Sequence, residues 1–322
     1  NEKNIFHRFF PIDKPSLIKK FLSGWSPLIS IFVDSEIWPN FILEIKERNI
    51  PLILLNGRIT KKTFLKWRMI KNIAQKVFQS FDLCLTSSNE SKKYLEKLNV
   101  KNVKYIGNLK FTSENKVSDQ ENKNKEILNN NKFWCAVSTH KEEDIFCLKT
   151  HLEIKKNHKN IITIIIPRHI NRAQSIKSTC EKFNLKCQIL AYGDLIKPEK
   201  EVIIINSYGV TSNYLSFCKS VFIGKSMIKR LESVGGQNPI EAAKHGCKIY
   251  YGPYVYNFQE VYELLNKHQI SERILNESEL SKKISIDFNE VGKIKDEKVK
   301  IINDLGKQIL NETYSELSNI LN

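Results

Sequence analysis

The stretch Ile161-Ile162-Thr163-Ile164-Ile165-Ile166-Pro167-Arg168-His169 decides the fold class. It is apolar at nearly every position, with no alternation of polar and apolar residues. A strand covered by helices on both faces of a parallel sheet reads this way. The run is strand-sized, far short of the roughly 20 residues a membrane span needs. Shorter runs of the same kind recur on both sides: Ile29–Asp34, Leu52–Asn56, Leu83–Thr86, Val103–Ile106, Phe133–Ser138, Cys187–Leu190, Val202–Asn206, Val221–Gly224 and Cys247–Tyr251. Charged segments with helical spacing separate many of them, among them Lys61–Ser80, Ser88–Lys97, Glu142–Asn157, Arg172–Phe183 and Pro239–Lys244. Strand-helix alternation of this kind is the mark of an α/β protein.

Thr112–Asn131 interrupts the pattern. It is rich in Asn, Lys, Glu, Ser and Gln and has little to bury, which suits a linker. The expected organisation is a first Rossmann-like lobe over 1–115, a polar linker over 116–131, a second lobe over 132–292, and a helical tail over 293–322 that packs back on the body. Four strands are expected before the linker and six after it, so the first lobe reads as incomplete on its N-terminal side. A length of 322 residues also suits two domains better than one.

Composition narrows the function classes. Hydrophobic residues make up 41%, a globular value. The seven cysteines form no Cys-x-x-Cys pair, which argues against zinc ribbons and thioredoxin-like chemistry and fits free thiols in a reducing compartment. The net charge of +16 admits nucleic acid, an anionic membrane surface or an anionic substrate as partner, or a plain compositional bias toward lysine. No aromatic-basic interleaving or DNA-reading helix stands out, so a nucleic-acid partner is not expected. No metal site or cofactor is expected.

Ligands of open parallel sheets bind beyond the carboxyl ends of the strands, so polar clusters there carry the chemistry. Asp34-Ser35-Glu36-Ile37-Trp38-Pro39-Asn40 follows the first run, and its acids could equally start a helix. Arg58, in Asn56-Gly57-Arg58, is either an anion fork or a surface arginine. Lys110 follows Gly107, Asn108 and Leu109 at another exit. Ser138 and Thr139 lead into Glu142-Glu143, which reads both as a capping box and as an anion site at a helix start. Arg168, at the end of the most apolar strand, is hard to explain except as a ligand contact, with His169 beside it. Gly235-Gly236-Gln237-Asn238-Pro239-Ile240-Glu241 reads as a helix start with Asn238 at the cap and Pro239 in the first turn. It reads equally as a phosphate-and-ribose site.

In this order, and with Gly252-Pro253 and Asn257-Phe258 added, these strings resemble the Kdo transferases, which handle 3-deoxy-D-manno-octulosonic acid. The resemblance runs from about Pro11 to Leu265. It implies a GT-B fold, with two Rossmann-like lobes facing a cleft. It implies CMP-Kdo as donor, lipid IVA as acceptor, inversion at the anomeric carbon and no required metal. Carried onto this chain, Pro167 and Arg168, Tyr208, Gly209 and Val210, and Asn238, Pro239, Ile240 and Glu241 become the donor-binding segments. Glu36 and Lys110 become transition-state stabilisers, and Arg58, Ser138, Thr139 and His169 further candidate contacts. The family's general base, a glutamate in a Gly/Ser-rich loop, is expected upstream of Asn1, together with a membrane anchor. The expected location is the cytoplasmic face of the bacterial inner membrane. The chain departs from the family where Gln237 stands for histidine, Val210 for an acidic residue and Gly224-Lys225 for two glycines, and the loop Lys229–Val234 is longer than usual. The alternatives are a GT-B enzyme using a UDP-sugar and a donor-binding remnant without catalysis.

Overall fold

The computed structural model describes residues 5–113, 123–290 and 296–321. It divides into two compact units, 1–112 with 306–322, and 113–305. Of the polar segment 116–131, residues 116–122 lie outside the described set, and so do 293–295 of the tail and Asn322.

The first unit holds a parallel sheet in the order β1 (Ser30–Val33), β2 (Leu52–Gly57), β3 (Leu83–Thr86), β4 (Val103–Tyr105). One face packs under α1 (Pro15–Trp25), α2 (Pro39–Glu47), α4 (Lys71–Gln79) and α5 (Asn89–Lys97) around Ile18, Phe41, Ile45, Val77, Phe78 and Leu95. On the other face Ile53, Leu83 and Leu85 meet Leu317 and Ile320 of the last helix, α13 (Asp296–Leu321). Gly107, at φ +96°, is where that helix comes close: an added Cβ would lie 2.8 Å from the Ile309 side chain.

The second unit carries seven parallel strands in the order β11 (Ser271–Arg273), β10 (Lys248–Tyr251), β9 (Ser220–Ile223), β5 (Phe133–Thr139), β6 (Ile162–Pro167), β8 (Val202–Ile205), β7 (Cys187–Leu190). The strand expected from the isoleucine run is β6, buried at every position and paired with β5 and β8. The chain runs from β5 to β6 on one side and returns to β9 on the other, so the order reverses between β5 and β9. Helices α7 (Glu143–Lys155), α8 (Ala173–Lys182) and α12 (Glu277–Asp287) supply core side chains such as Leu148, Ile176 and Ile284.

Several expectations are corrected. Lys61–Ser80 is two helices, α3 (Lys61–Met69) and α4, because the backbone leaves helical geometry at Ile70. A seventh strand, β11, follows β10; its Ser-Glu-Arg sequence carries no apolar signal. Helices α1, α2 and α12 were not among the expected elements, although Ile18, Phe21, Leu22 and Trp25 of α1 stand at helical spacing. In β1 only Phe32 is buried, while Ile31 and Val33 are 42% and 46% exposed, since β1 is the edge strand and is covered on one face.

His151 of α7 is fully buried, its Nδ1 2.9 Å from Thr163 Oγ1 and its Nε2 3.5 Å from Glu201 Oε2. Burial pushes its pKa down to about 4, against the pull of Glu201. The unfolded histidine takes its proton near pH 6.5 and the folded one only near pH 4. The stability this group contributes is therefore complete above pH 6.5 and lost as pH falls toward 4. Urea unfolding of the wild type is expected to lose about 2 kcal/mol more than His151→Gln between pH 7.5 and 5. Parallel pH profiles for the two proteins would refute this.

Candidate functional site

In the first unit three strand exits are tied together. Asp34 leaves β1 in the left-handed region at φ +57°, and Asn56, the next-to-last residue of β2, has φ +53°. The Asn56 amide is buried; its Nδ2 donates to Asp34 Oδ1, and its Oδ1 accepts from the Leu109 N–H at 3.0 Å. Arg58 N–H donates to Asp34 O at 2.9 Å, and Ser35 Oγ–H to Arg58 O at 2.8 Å. Lys110 is thereby presented 3.7 Å from Asp34 Oδ2, both side chains about half exposed. Glu36 accepts from Trp38 Nε1 at 2.8 Å.

This arrangement answers the helix-start question. The α2 N-terminus is capped by Asp13, whose carboxylate accepts from the N–H groups of Asn40 at 3.2 Å and Phe41 at 2.9 Å. The acids of the 34–36 turn do other work: Asp34 joins the exits and faces Lys110, and Glu36 orients an indole. Sequence reasoning missed Asp13, which lies far upstream of the helix it caps.

In the second unit the reversal between β5 and β9 is closed by Glu143. Its carboxylate is 1% exposed and accepts four backbone N–H groups: His140 at 2.9 Å, Lys225 at 2.7 Å, Ser226 at 2.9 Å and Met227 at 3.1 Å. Two loops, one after β5 and one after β9, share one buried anion. Gly224 lets them approach: an added Cβ would sit 2.7 Å from Ser138 O and Thr139 Cα. The capping box is not formed: neither Ser138 nor Thr139 caps α7, and Glu143, which accepts from His140, mainly fastens a loop some 80 residues on.

Arg172 and Asp144 form a second brace. Arg172 Nη1 donates to Thr139 O at 2.9 Å and Nη2 to Asp144 Oδ2. Burial pushes the Asp144 carboxyl up to about 6 although Arg172 pulls it down. Sequence reasoning missed Arg172, Asp144 and the role of Glu143. The available signal was three consecutive acids directly after a strand in a strongly basic chain.

Arg168 is different. Its backbone N–H donates to Thr139 O at 3.1 Å, and the residue is exposed at the strand exit. His169 lies edge-on to His140, ring centroids 6.0 Å apart. Burial holds the His140 pKa below the ordinary histidine value, and the nearby Lys225, His169 and Arg172 lower it further. The His140 ring thus sits near Lys225, His169 and Arg172 at the mouth of β5, β6 and β9.

The other two donor candidates are joined to each other. Tyr208 is 65% exposed, Gly209 has φ +76° with open space where a Cβ would be, and Val210 is buried. Ser212 Oγ–H, just inside α9 (Thr211–Leu215), donates to Glu241 Oε1 of α10 (Ile240–Lys244) at 2.6 Å. Asn238 Oδ1 accepts from Ile240 N–H at 3.1 Å, so the cap lies one residue away from the pattern read in the sequence. Pro167, Val210 and Ile240 bury their side chains and present backbone only. The glycine pair proves structural. A Cβ on Gly235 would lie 2.3 Å from Tyr254 O, and one on Gly236, at φ +87°, 2.9 Å from Val255 Cα. A cavity of about 390 Å³ beside the Tyr208 loop is lined by Leu190, Tyr192, Asp194, Ser207 and Tyr214. Among the described residues no cluster of His, Cys, Asp or Glu could hold a metal ion, and all seven cysteines are free.

Comparison with known proteins places this architecture. The UDP-GlcNAc 2-epimerase of Methanocaldococcus jannaschii superposes with a TM-score of 0.58 at 12% identity, over 93% of this chain and 80% of that one. At that identity the likeness shows the fold alone: two Rossmann-like units of the GT-B class. Residues 1–113 match the family model described as 3-deoxy-D-manno-octulosonic-acid transferase (kdotransferase). The chain is 29% identical over 281 residues to the 3-deoxy-D-manno-octulosonic acid transferase of Rickettsia felis, 87% of this chain and 59% of that protein. It is 31% identical over 249 residues to the enzyme of the same name from Rickettsia typhi, 77% of this chain and 53% of that protein. The resemblance to the Kdo transferases carried by the sequence motifs is thereby shown. The chain spans between half and three fifths of the length of these curated relatives.

Replacing Glu143 by Ala strands four backbone donors around a buried carboxylate, each costing up to about 1–3 kcal/mol unless water replaces it. Chemical denaturation is expected to show a loss of at least about 3 kcal/mol. A loss below about 1 kcal/mol would mean that the two loops do not depend on this residue.

Proposed function

We propose that this chain serves Kdo transfer from CMP-Kdo to lipid IVA in lipopolysaccharide synthesis, with inversion at the anomeric carbon. The observation that carries the reading is the convergence in the second unit. Arg168, the Tyr208–Val210 loop and the Asn238–Glu241 segment all lie at carboxyl ends of strands, and the last two are joined by Ser212 and Glu241. A nucleotide monophosphate asks for such a set: a cation and backbone donors for the phosphate, and a carboxylate for the ribose hydroxyls. The relatives' names supply the sugar.

In this reaction an acceptor hydroxyl attacks the anomeric carbon, its proton passes to a base, and CMP leaves with the electrons of the broken carbon–oxygen bond. Arg168 holds the departing phosphate. In the first unit Glu36 and Lys110 stabilise the transition state, each held by a partner seen in the structure, Trp38 and Asp34. Groups so fixed need little reorganisation as charge develops, and each well-placed one contributes a few kcal/mol. Arg58, Ser138, Thr139 and His169 are further candidate contacts.

The proposal includes an anionic membrane surface, at the cytoplasmic face of the inner membrane. From Arg58 to Phe81 the chain has no acidic residue. Helices α3 and α4 carry Lys61, Lys62, Lys66, Arg68, Lys71 and Lys76. Between them Leu65, Met69, Ile70 and Ile73 are 46–84% exposed. Cations around exposed apolar side chains suit the headgroup boundary of an anionic bilayer, with roughly 1 kcal/mol per cation near the surface. No described helix is long and apolar enough to cross a membrane.

CMP is expected to raise the melting temperature and UDP to leave it unchanged; the reverse would favour a UDP-sugar enzyme. Calorimetry should show Arg168→Ala weakening CMP about 10- to 100-fold, the range of a charged hydrogen bond. Unchanged affinity would remove Arg168 from the site.

Sedimentation with phosphatidylglycerol vesicles should pull the protein down at low salt, phosphatidylcholine vesicles should not, and binding should fade as salt screens the charges. Met69→Ser with Ile73→Ser should weaken what remains. Binding that ignores both salt and lipid charge would refute this face as the docking surface.

A further inference from the structure

The loops at the β5/β9 reversal contain three residues other than glycine in the left-handed region: Ser138 at φ +56°, Glu142 at φ +85° and Lys225 at φ +58°. Such backbone costs free energy and persists where the surroundings enforce it, often at functional sites. Lys225 is the most tightly enforced. Its N–H donates to Glu143 Oε2 at 2.7 Å, and its carbonyl accepts from Gly236 N–H at 2.7 Å. Glycine would adopt this conformation without steric cost, yet this chain places a lysine there.

We infer that Lys225 is a phosphate-holding residue of the donor site, a cation supplied by this chain where a glycine would offer backbone alone. The inference rests on the donor reading above. Three observations support it. Lys225 is the second residue past β9, after Gly224, at the reversal where open parallel sheets take their ligands. The same edge carries Arg168 and His169 after β6 and His140 after β5. Glu143 Oε2 accepts from both the Lys225 N–H at 2.7 Å and the His140 N–H at 2.9 Å, which holds the two loops side by side at that edge. The backbone on either side is held by Glu143 and by the Gly235-Gly236 turn, so a flexible side chain is mounted on a rigid base. Strain fixed there by a buried carboxylate is explained if the side chain is needed.

The test is Lys225→Gly, with Lys225→Ala as a second variant. A residue needed only for structure would lower the melting temperature on removal. Here Lys225→Gly is expected to leave it unchanged or raise it, because the strained conformation passes to the residue that tolerates it. CMP affinity measured by calorimetry at low salt is nevertheless expected to fall about tenfold or more in both variants. Cytidine, which lacks the phosphate, should bind wild type and variants equally. Equal loss of CMP and cytidine would overturn the inference, and so would unchanged CMP affinity in variants of a protein whose Arg168→Ala change weakens it. A wild type that ignores CMP altogether would overturn the donor reading, and this inference with it.

Discussion

The second unit depends on one buried carboxylate. An anion in an apolar interior is costly unless its lone pairs are filled, and Glu143 fills them with four backbone N–H groups from two loops. The exchange is mutual, because those N–H groups would otherwise be stranded where the two strands part. Once they are fastened, Gly224 can touch the β5 loop, Lys225 must take a left-handed conformation, and Gly236 can reach the Lys225 carbonyl. The glycine turn then packs against Tyr254 and Val255. A chain of close backbone approaches thus runs from the strand reversal to the start of α10, and the donor candidates stand along it.

The first unit solves the same problem with an amide. Asn56 uses one side chain to hold the β1 exit and the β4 exit, donating to Asp34 and accepting from Leu109. An amide can do both where a carboxylate can only accept. The lysine that follows, Lys110, is placed by this bond and lies 3.7 Å from Asp34 Oδ2. In both units a buried polar side chain, Asn56 or Glu143, fastens the loops that carry the more exposed candidates. That division fits a site that must be organised before its substrate arrives.

Much of the fold was legible because parallel strands covered on both faces leave an unmistakable record. All ten apolar runs are strands, and Ile161–Pro167 became a fully buried one. What failed did so for physical reasons. Strand β11 is three polar residues whose pairing depends on β10, so no local preference marks it. The break at Ile70 falls inside a stretch whose residues all tolerate helix. The Asp34–Glu36 turn resembled a helix cap, but the real cap is Asp13, and an interaction across 27 positions leaves no trace in local spacing.

The candidate site divides along the same line. Residue types at strand exits were readable from the sequence: Glu36, Arg58 and Lys110 in one unit, and Arg168, Tyr208 and Glu241 in the other. An exit is a local property, a run of apolar residues that stops. Which of two similar groups stays available and which is consumed was not readable. Arg168 and Arg172 lie four residues apart, yet one is exposed while the other is spent on Thr139 and Asp144. Glu142 and Glu143 are neighbours, yet one pairs with Arg230 at the surface and the other is buried beneath two loops. The sequence by itself determined the parallel sheets and where their polar exits fall, because burial and periodicity act over a few residues. Only the tertiary structure decided which charges are buried, since that depends on loops far apart in the chain meeting around a single group.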